Sequence, residues 1–277
     1  MSAKGQSGTI SIFTFVVMLT LIAITVAFLY MISIRIKSSG LELASAQAFW
    51  LAEAGIQKAI WNLKTPVAGG GQGENWTTNG VTTNLEAGSY TMVVERWDFA
   101  LATNGASATA SSKQGSYVAA NAIDGDDSTY WESQNKPTGG NPEEIIIHFP
   151  YTLTINKVRF LVPVGSSQQA PKDYTWEVSS DGINYTTVKD VKNNSNTDRT
   201  DEFSATTNVN YLKLHVTKIG GGSDGVRIAT LETIGSKITS TGTVSVMNRK
   251  IARTVVADDA TQTAAEEIDW NEIVPAI

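Results

Sequence analysis

Residues 9–34 read TISIFTFVVMLTLIAITVAFLYMISI and contain no charged side chain. A membrane-spanning helix needs about 20 consecutive apolar residues, so this run is long enough to cross a hydrocarbon core. The chain continues without a break into residues 35–56, RIKSSGLELASAQAFWLAEAGI, where small and apolar residues recur at steps of three and four. That spacing predicts one long helix with an apolar face beyond the membrane. The residues on this face are Leu41, Ala44, Ala48, Leu51, Gly55, Ala59 and Leu63.

The apolar run has two other interpretations. A cleaved secretory signal has an apolar segment of about 7–15 residues followed by a site of small residues. This run is longer, and Arg35 and Lys37 follow it. A permanent membrane anchor stays open, but Lys4 on one side and two basic residues on the other do not orient it.

The polar leader ending in Gly8, the apolar helix and residues 46–56, AQAFWLAEAGI, resemble the start of type IV pilin-like proteins, minor pilins and pseudopilins above all. In that family a prepilin peptidase cuts after the leader glycine on the cytoplasmic side. The resemblance implies cleavage between Gly8 and Thr9, with Gly5 as a second candidate position. It also implies three kinds of partner: the peptidase, the membrane before assembly, and other pilin subunits that pack on the helix.

One departure from the pilin pattern concerns the membrane part of the helix. If Thr9 is the mature N-terminus, the fifth mature residue is Phe13, where most pilins have a glutamate. In the family this glutamate neutralises the N-terminal amine of a neighbouring subunit. Its absence resembles the minor subunits at a filament tip, which have no subunit above them.

Composition excludes several classes of function. The chain has 277 residues and a net charge of −6, which argues against a nucleic-acid partner. It has no cysteine, so disulfides and thiolate metal sites are excluded. Its two histidines, His148 and His215, lie in alternating runs and are predicted on strand faces. No segment resembles a glycosidase scaffold, so no enzymatic activity is predicted.

The rest of the chain predicts an α+β fold in which one domain interrupts another. Pro66 and the glycines after it end the helix, and residues 88–95 alternate like a strand. Residues 236–246 and 249–256 predict a hairpin, and these strands resemble the small antiparallel sheet of a pilin. The predicted organisation is a leader (1–8), the helix and first part of the head (9–100), an insert (101–235), and the remaining head strands with an acidic tail (236–277). Insertions of this kind are tolerated in surface loops.

In the tail, Trp270, Ile273 and Val274 either remain solvated or dock on the head.

The insert contains five sequence motifs of its own. These are residues 108–112 (ATASS), 120–131 (ANAIDGDDSTYW), 172–185 (KDYTWEVSSDGINY), 209–216 (VNYLKLHV) and 228–235 (IATLETIG). In this order they resemble the discoidin, or coagulation factor V/VIII C-type, domain, a group that includes many galactose-binding-like carbohydrate-binding modules. The resemblance implies an all-β jelly-roll sandwich that binds a carbohydrate or another surface ligand.

A calcium site is predicted in the turn of residues 121–129. Calcium prefers six to eight oxygen ligands, which Asp124, Asp126 and Thr129 supply at short range. By resemblance, related modules use the Asn121 carbonyl, both aspartates, the threonine hydroxyl and carbonyl, and an Ala-Glu pair in the last strand. Here the pair is Ala229-Thr230, so Glu232 is the predicted substitute. The alternative is an Asx-rich turn without metal.

The predicted ligand-binding surface is less specific. Trp131 is predicted in the core, and the ligand is expected at loops 133–142 and 165–172 on one rim of the sandwich. These loops carry polar side chains and no aromatic ring: Gln134, Asn135, Lys136, Asn141, Gln168, Gln169 and Lys172. The sequence does not assign the ligand contacts among them.

Two hypotheses of different class follow. The first is a minor subunit of a type IV pilus-like or type II secretion-like filament that displays the module for adhesion. The second is a carbohydrate-binding module on a permanent anchor that forms no filament. Both place the chain in the cytoplasmic (inner) membrane and then outside the cell, and leader cleavage distinguishes them.

Overall fold

A computed structural model describes residues 6–246 and 248–258. The helix α1 spans Gln6–Lys64. The strands are β1 Thr78–Leu85, β2 Gly88–Asp98, β3 Ser107–Ala110, β4 Trp131–Glu132, β5 Glu143–Leu161, β6 Pro171–Ser179, β7 Thr186–Val191, β8 Asp198–Ile219, β9 Arg227–Ile228, β10 Thr230–Val246 and β11 Arg249–Asp258. Short 3-10 turns cover Val67–Gly69, Ala102–Asn104, Ala119–Ile123 and Ser167–Gln169. The architecture is a long apolar helix with a mostly antiparallel β-sandwich, as the sequence predicts.

The first half of α1 makes no contact that buries it. Residues 13–39 are exposed throughout, and the most apolar 18-residue window in this part of the helix has a mean hydropathy of 2.7. By length and composition this helix can cross a membrane.

The second half of α1 packs on an antiparallel sheet, which we call the head sheet. Its strand order is β1, β2, the second part of β10, and β11. The predicted helix face is buried from Ala44 onward, whereas Leu41 is only half-buried. The core between helix and sheet contains Ala48, Ile56 and Ile238.

Glycine explains how closely helix and sheet approach. A β-carbon on Gly55 would overlap the Ser240 hydroxyl on β10, and one on Gly242 would overlap the Ala48 carbonyl oxygen. Each contact therefore needs a residue without a side chain. This accounts for Gly55 in the motif of residues 46–56.

The insert forms a second, separate core. Strands β5 and β8 pair with each other along most of their length, with register shifts between His148 and Lys157. On one side β8 continues to β6 and β7, and β5 pairs with β3 and the start of β10. The core contains Trp131, Phe149, Phe160 and Trp176, each at most 1% exposed. The prediction that Trp131 is a core residue is confirmed.

The two units share one strand, β10. Along β10, Thr233 pairs with Val158 of the sandwich, and the next residue, Ile234, pairs with Asp98 of β2. Because β2 and β10 are antiparallel neighbours in the head sheet, the insert occupies the place of the loop that would join them. Its two ends therefore lie side by side.

Candidate functional site

One end of the sandwich gathers three loops around the short ribbon of β4 and β9. The Ser133 N–H donates to the Val226 carbonyl at 3.0 Å, and the Val226 N–H donates to Ser133 Oγ at 2.9 Å. The Gly221 N–H donates to the Gln168 carbonyl at 2.8 Å. Both predicted rim loops therefore meet a third loop, residues 220–226, which the sequence analysis did not include. Its glycine-rich sequence, GGGSDG, was the available signal.

Six of the seven predicted rim side chains divide into two groups, and the seventh, Lys172, is half-buried. Gln134, Asn135, Lys136, Asn141 and Gln168 are exposed, and Lys136 Nζ donates to the Gly222 carbonyl at 2.6 Å. Gln169 is buried, and its Nε2 donates to Asp224 Oδ2 at 3.2 Å. Gln169 therefore holds the second and third loops together instead of facing solvent.

A buried carboxylate supports the first rim loop. Glu143 is 2% exposed and accepts hydrogen bonds from the hydroxyls of Ser111 and Ser112 at 2.5 and 2.6 Å. Its other oxygen accepts the Asn135 amide at 3.2 Å. Ser112 Oγ in turn accepts the Gln134 N–H. This chain of bonds fixes the loop backbone, because a buried carboxylate is stable only when hydrogen-bonded.

Arg227 on β9 connects the ribbon to the rim. Its guanidinium binds Glu132 Oε1 at 3.0 Å and Ser166 Oγ at 3.3 Å, and lies 3.8 Å from Asp224 Oδ2. It also lies over the ring of Tyr130, 5.6 Å from the centroid. One side chain thus joins β4, the second loop and the third loop. Sequence reasoning missed it, because nothing local marks an arginine that acts across three segments.

The predicted calcium turn brings its oxygen atoms together. Thr129 Oγ1 lies 2.6 Å from Asp124 Oδ2, 3.1 Å from the Asp126 carbonyl and 3.3 Å from the Asn121 carbonyl. The Asp126 carboxylate faces elsewhere and accepts the Ser128 hydroxyl and N–H, which lower its pKa. Of Asp126, the carbonyl rather than the carboxylate therefore points into the cluster.

The last strand meets this turn at Thr230. Its hydroxyl donates to Asp127 Oδ1 at 2.5 Å, next to Ala229, whose N–H is bonded to Leu161. The Glu232 carboxylate has different partners, since it binds Arg96 at 2.8 Å and Arg159 at 3.1 Å. Two guanidinium groups therefore hold both of its oxygens, and its role as a substitute ligand stays a prediction.

The donor set suits a hard cation but supplies little charge. Hydroxyl, carbonyl and carboxylate oxygens are the ligands that calcium prefers. Within residues 6–246 and 248–258, however, no cluster of three or more His, Cys, Asp or Glu side chains is placed to hold a metal ion. A cation here would rely on Asp124 and on neutral oxygens.

The other predicted positions belong neither to the rim loops nor to the turn of residues 121–129. Gly8 and Thr9 lie on the helical backbone of α1. Trp270, Ile273 and Val274 lie outside the described residues. Both histidines lie on strand faces, as predicted: His148 stacks on Tyr211, and His215 Nδ1 lies 2.6 Å from Glu144.

Comparison with known proteins agrees with the insert's motifs. Residues 107–231 match the F5/8 type C domain family, which confirms the predicted type of module within the insert. Chitosan-binding module 1 of a chitosanase/glucanase from Paenibacillus sp. IK-5 is 27% identical, with a TM-score of 0.43 over 98% of that chain and 50% of this one. The Clostridium perfringens module CpGH89CBM32-5, solved with GalNAc-β-1,3-galactose, is 22% identical, with a TM-score of 0.44 over 99% and 50%. No curated protein matches the chain.

Proposed function

We propose that the chain is a minor subunit of a pilus-like or secretion-like filament that displays an F5/8 type C module for binding carbohydrate. The sugar ligand is proposed from the family of the module and from the polar rim of its three loops. Calcium bound at the turn of residues 121–129 would stabilise the module.

The observation that favours a filament over a permanent anchor is the outer face of α1. Leu43, Trp50 and Trp61 lie on the side away from the head sheet and are 62%, 67% and 43% exposed. Their spacings of seven and eleven residues keep them on one line along a helix. Trp50 lies roughly 24 Å beyond the end of the uncharged segment, at 1.5 Å per residue. Lipid therefore does not cover it, and a monomeric anchor leaves this apolar line in water.

A neighbouring helix would cover that line. Exposed apolar patches of this kind mark protein–protein contacts, and tryptophan is enriched among the residues that dominate them. This line of apolar side chains continues the exposed apolar segment of α1 that precedes it in the chain. One partner helix could therefore pack along both. A permanent anchor remains the second candidate, since it would have the same exposed apolar segment for crossing the membrane.

Two measurements test the filament. Mass spectrometry of the processed chain should show a start at Thr9, and an intact Met1 in membrane and filament fractions would remove the proposal. Trp50→Ser and Trp61→Ser together should abolish incorporation into filaments while membrane insertion persists. Val67→Ser is the matched control, since Val67 is 72% exposed but lies beyond the end of α1.

A further inference from the structure

The rim loops lack an aromatic ring, but two tyrosines lie beside them. Tyr117 and Tyr130 stack with ring centroids 4.4 Å apart and an angle of 12° between the planes. Tyr117 is 36% exposed, whereas Tyr130 is half-buried. Neither residue belongs to the predicted rim or to the calcium turn.

The stack is attached to the same end of the sandwich as the rim. The Tyr117 carbonyl accepts the Glu132 N–H at 3.4 Å, which places its segment against β4. Arg227, which contacts Ser166 of the second loop, lies over the ring of Tyr130. Since Tyr117 covers one face of Tyr130, the guanidinium takes the other. Three flat groups thus follow one another, and Tyr117 is the outermost.

This order leaves one ring face available. Among the described residues, no second aromatic ring or cation stacks on Tyr117. The neighbouring Tyr117 hydroxyl raises the pKa of Tyr130 to about 12, so the Tyr130 ring stays neutral at physiological pH. An exposed aromatic ring face suits a ligand with one apolar face and hydroxyls at its edge.

We propose that Tyr117 is the stacking platform for a sugar ring, and that Arg227 fixes it by holding Tyr130 behind it. The inference rests on the proposed carbohydrate-binding function and assigns its aromatic contact. The rim loops then contact the outer part of the ligand with Gln168 and Lys136.

The test measures sugar binding by the full chain in detergent micelles. The probes are galactose, N-acetylgalactosamine, fucose and chitotriose, each immobilised, with affinity for the best one then measured by calorimetry. Tyr117→Ala should weaken binding by about tenfold or more, since an aromatic contact is worth about a kcal/mol beyond its buried area. Tyr117→Phe keeps the ring and should retain most of the affinity.

Matched variants separate the outcomes. Tyr151→Ala removes another exposed tyrosine of the insert, 42% exposed on β5, and should leave affinity unchanged. A wild-type chain that binds a probe, with Tyr117→Ala binding equally well, would overturn this inference alone. The same holds if Gln168→Ala abolishes binding and Tyr117→Ala does not. A wild-type chain that binds none of the four sugars would overturn the carbohydrate-binding function and the platform together.

Discussion

Asp98 Oδ1 accepts the backbone N–H of Thr233 at 2.9 Å, which ties the end of β2 to the strand on which the chain returns from the insert. The same oxygen accepts the Ala100 N–H, and the Phe99 N–H donates to the Thr233 carbonyl. Both ends of the insert are therefore fixed at one carboxylate. Continuous pairing along β10 makes this junction a part of the sheet instead of a flexible linker.

The first prediction concerns the pH dependence of that carboxylate. Burial raises the pKa of Asp98 to about 6, despite the hydrogen bonds from Ala100 and Thr233. A folded-state pKa above the unfolded one contributes stability that is full below about pH 4 and is lost as pH rises through about 6. Relative to acid pH, the free energy of unfolding is thus lower at neutral pH by on the order of 3 kcal/mol.

Asp98→Asn tests the direction of this change in stability with pH. The amide oxygen still accepts both N–H groups but never ionises, so the variant should be more stable than wild type at pH 7.5. The difference should vanish as the pH falls toward 4. Urea unfolding of the full chain in detergent, followed by tryptophan fluorescence, measures it. Glu95→Gln, an exposed carboxylate on the same strand, is the control, and an Asp98→Asn difference that is constant with pH would contradict the prediction.

The second prediction concerns the orientation of the insert. Glu232 joins Arg96 of the head sheet to Arg159 of the sandwich, and Arg159 also binds Asp198 at 2.7 Å. Glu232→Gln should broaden the distribution of distances between spin labels placed on the two units, because it removes the shared charge between two guanidinium groups. Stability should fall by about 1 kcal/mol. Asp190→Asn breaks the exposed pair with Lys192 and should change neither quantity, since exposed ion pairs contribute little. A label distribution that is equally narrow in both variants would show that strand pairing alone sets the orientation.

Local patterns predicted the elements of this fold but not how they join. The periodicity after Arg35 located the buried helix face, and alternation located β2 and the strands β10 and β11. No local pattern indicated that residues 230–246 form one strand, because the two parts of this strand pair with different partners far away in the chain. The ion pairs of Glu232 were not predicted for the same reason, because its two arginines lie on β2 and β5.

The candidate site also has a part that the sequence predicts and a part that it does not. The oxygens of residues 121–129 meet because they lie within one turn, where spacing along the chain is a guide to distance. The third rim loop, Arg227 and the tyrosine stack depend on contacts between segments that are distant in sequence. Only the folded sandwich brings these residues together.

The third prediction concerns the contact between α1 and the head sheet. In most helix interiors, replacing glycine by alanine stabilises the helix by about 1 kcal/mol. At Gly55 the added methyl would overlap Ser240 Oγ and press on the Tyr90 ring, so Gly55→Ala should destabilise the chain by about 1–3 kcal/mol instead. Ser240→Gly in the same chain removes the nearest atoms and should recover part of the loss. A Gly55→Ala chain as stable as wild type would show that the helix can shift freely on the sheet.

The last prediction concerns calcium. If the oxygens of Asn121, Asp124, Asp126 and Thr129 bind the ion, binding to the folded state raises the melting temperature of the insert with calcium concentration. Asp124→Ala should remove this dependence, because it removes the main charge in the cluster. Wild-type affinity should be modest, since Thr230 replaces the glutamate that related modules use in the last strand.

Thr230→Glu is the decisive variant, because it restores that carboxylate beside Asp127. In calcium it should bind the ion about tenfold more tightly than wild type, since an added charged oxygen completes the ligand set. In chelator it should melt below wild type, because two carboxylates then face each other without a cation. Calorimetric melting of the full chain in detergent, in millimolar calcium and in chelator, gives both effects. Curves that do not respond to calcium in either chain would show that residues 121–129 form a hydrogen-bonded turn and hold no metal.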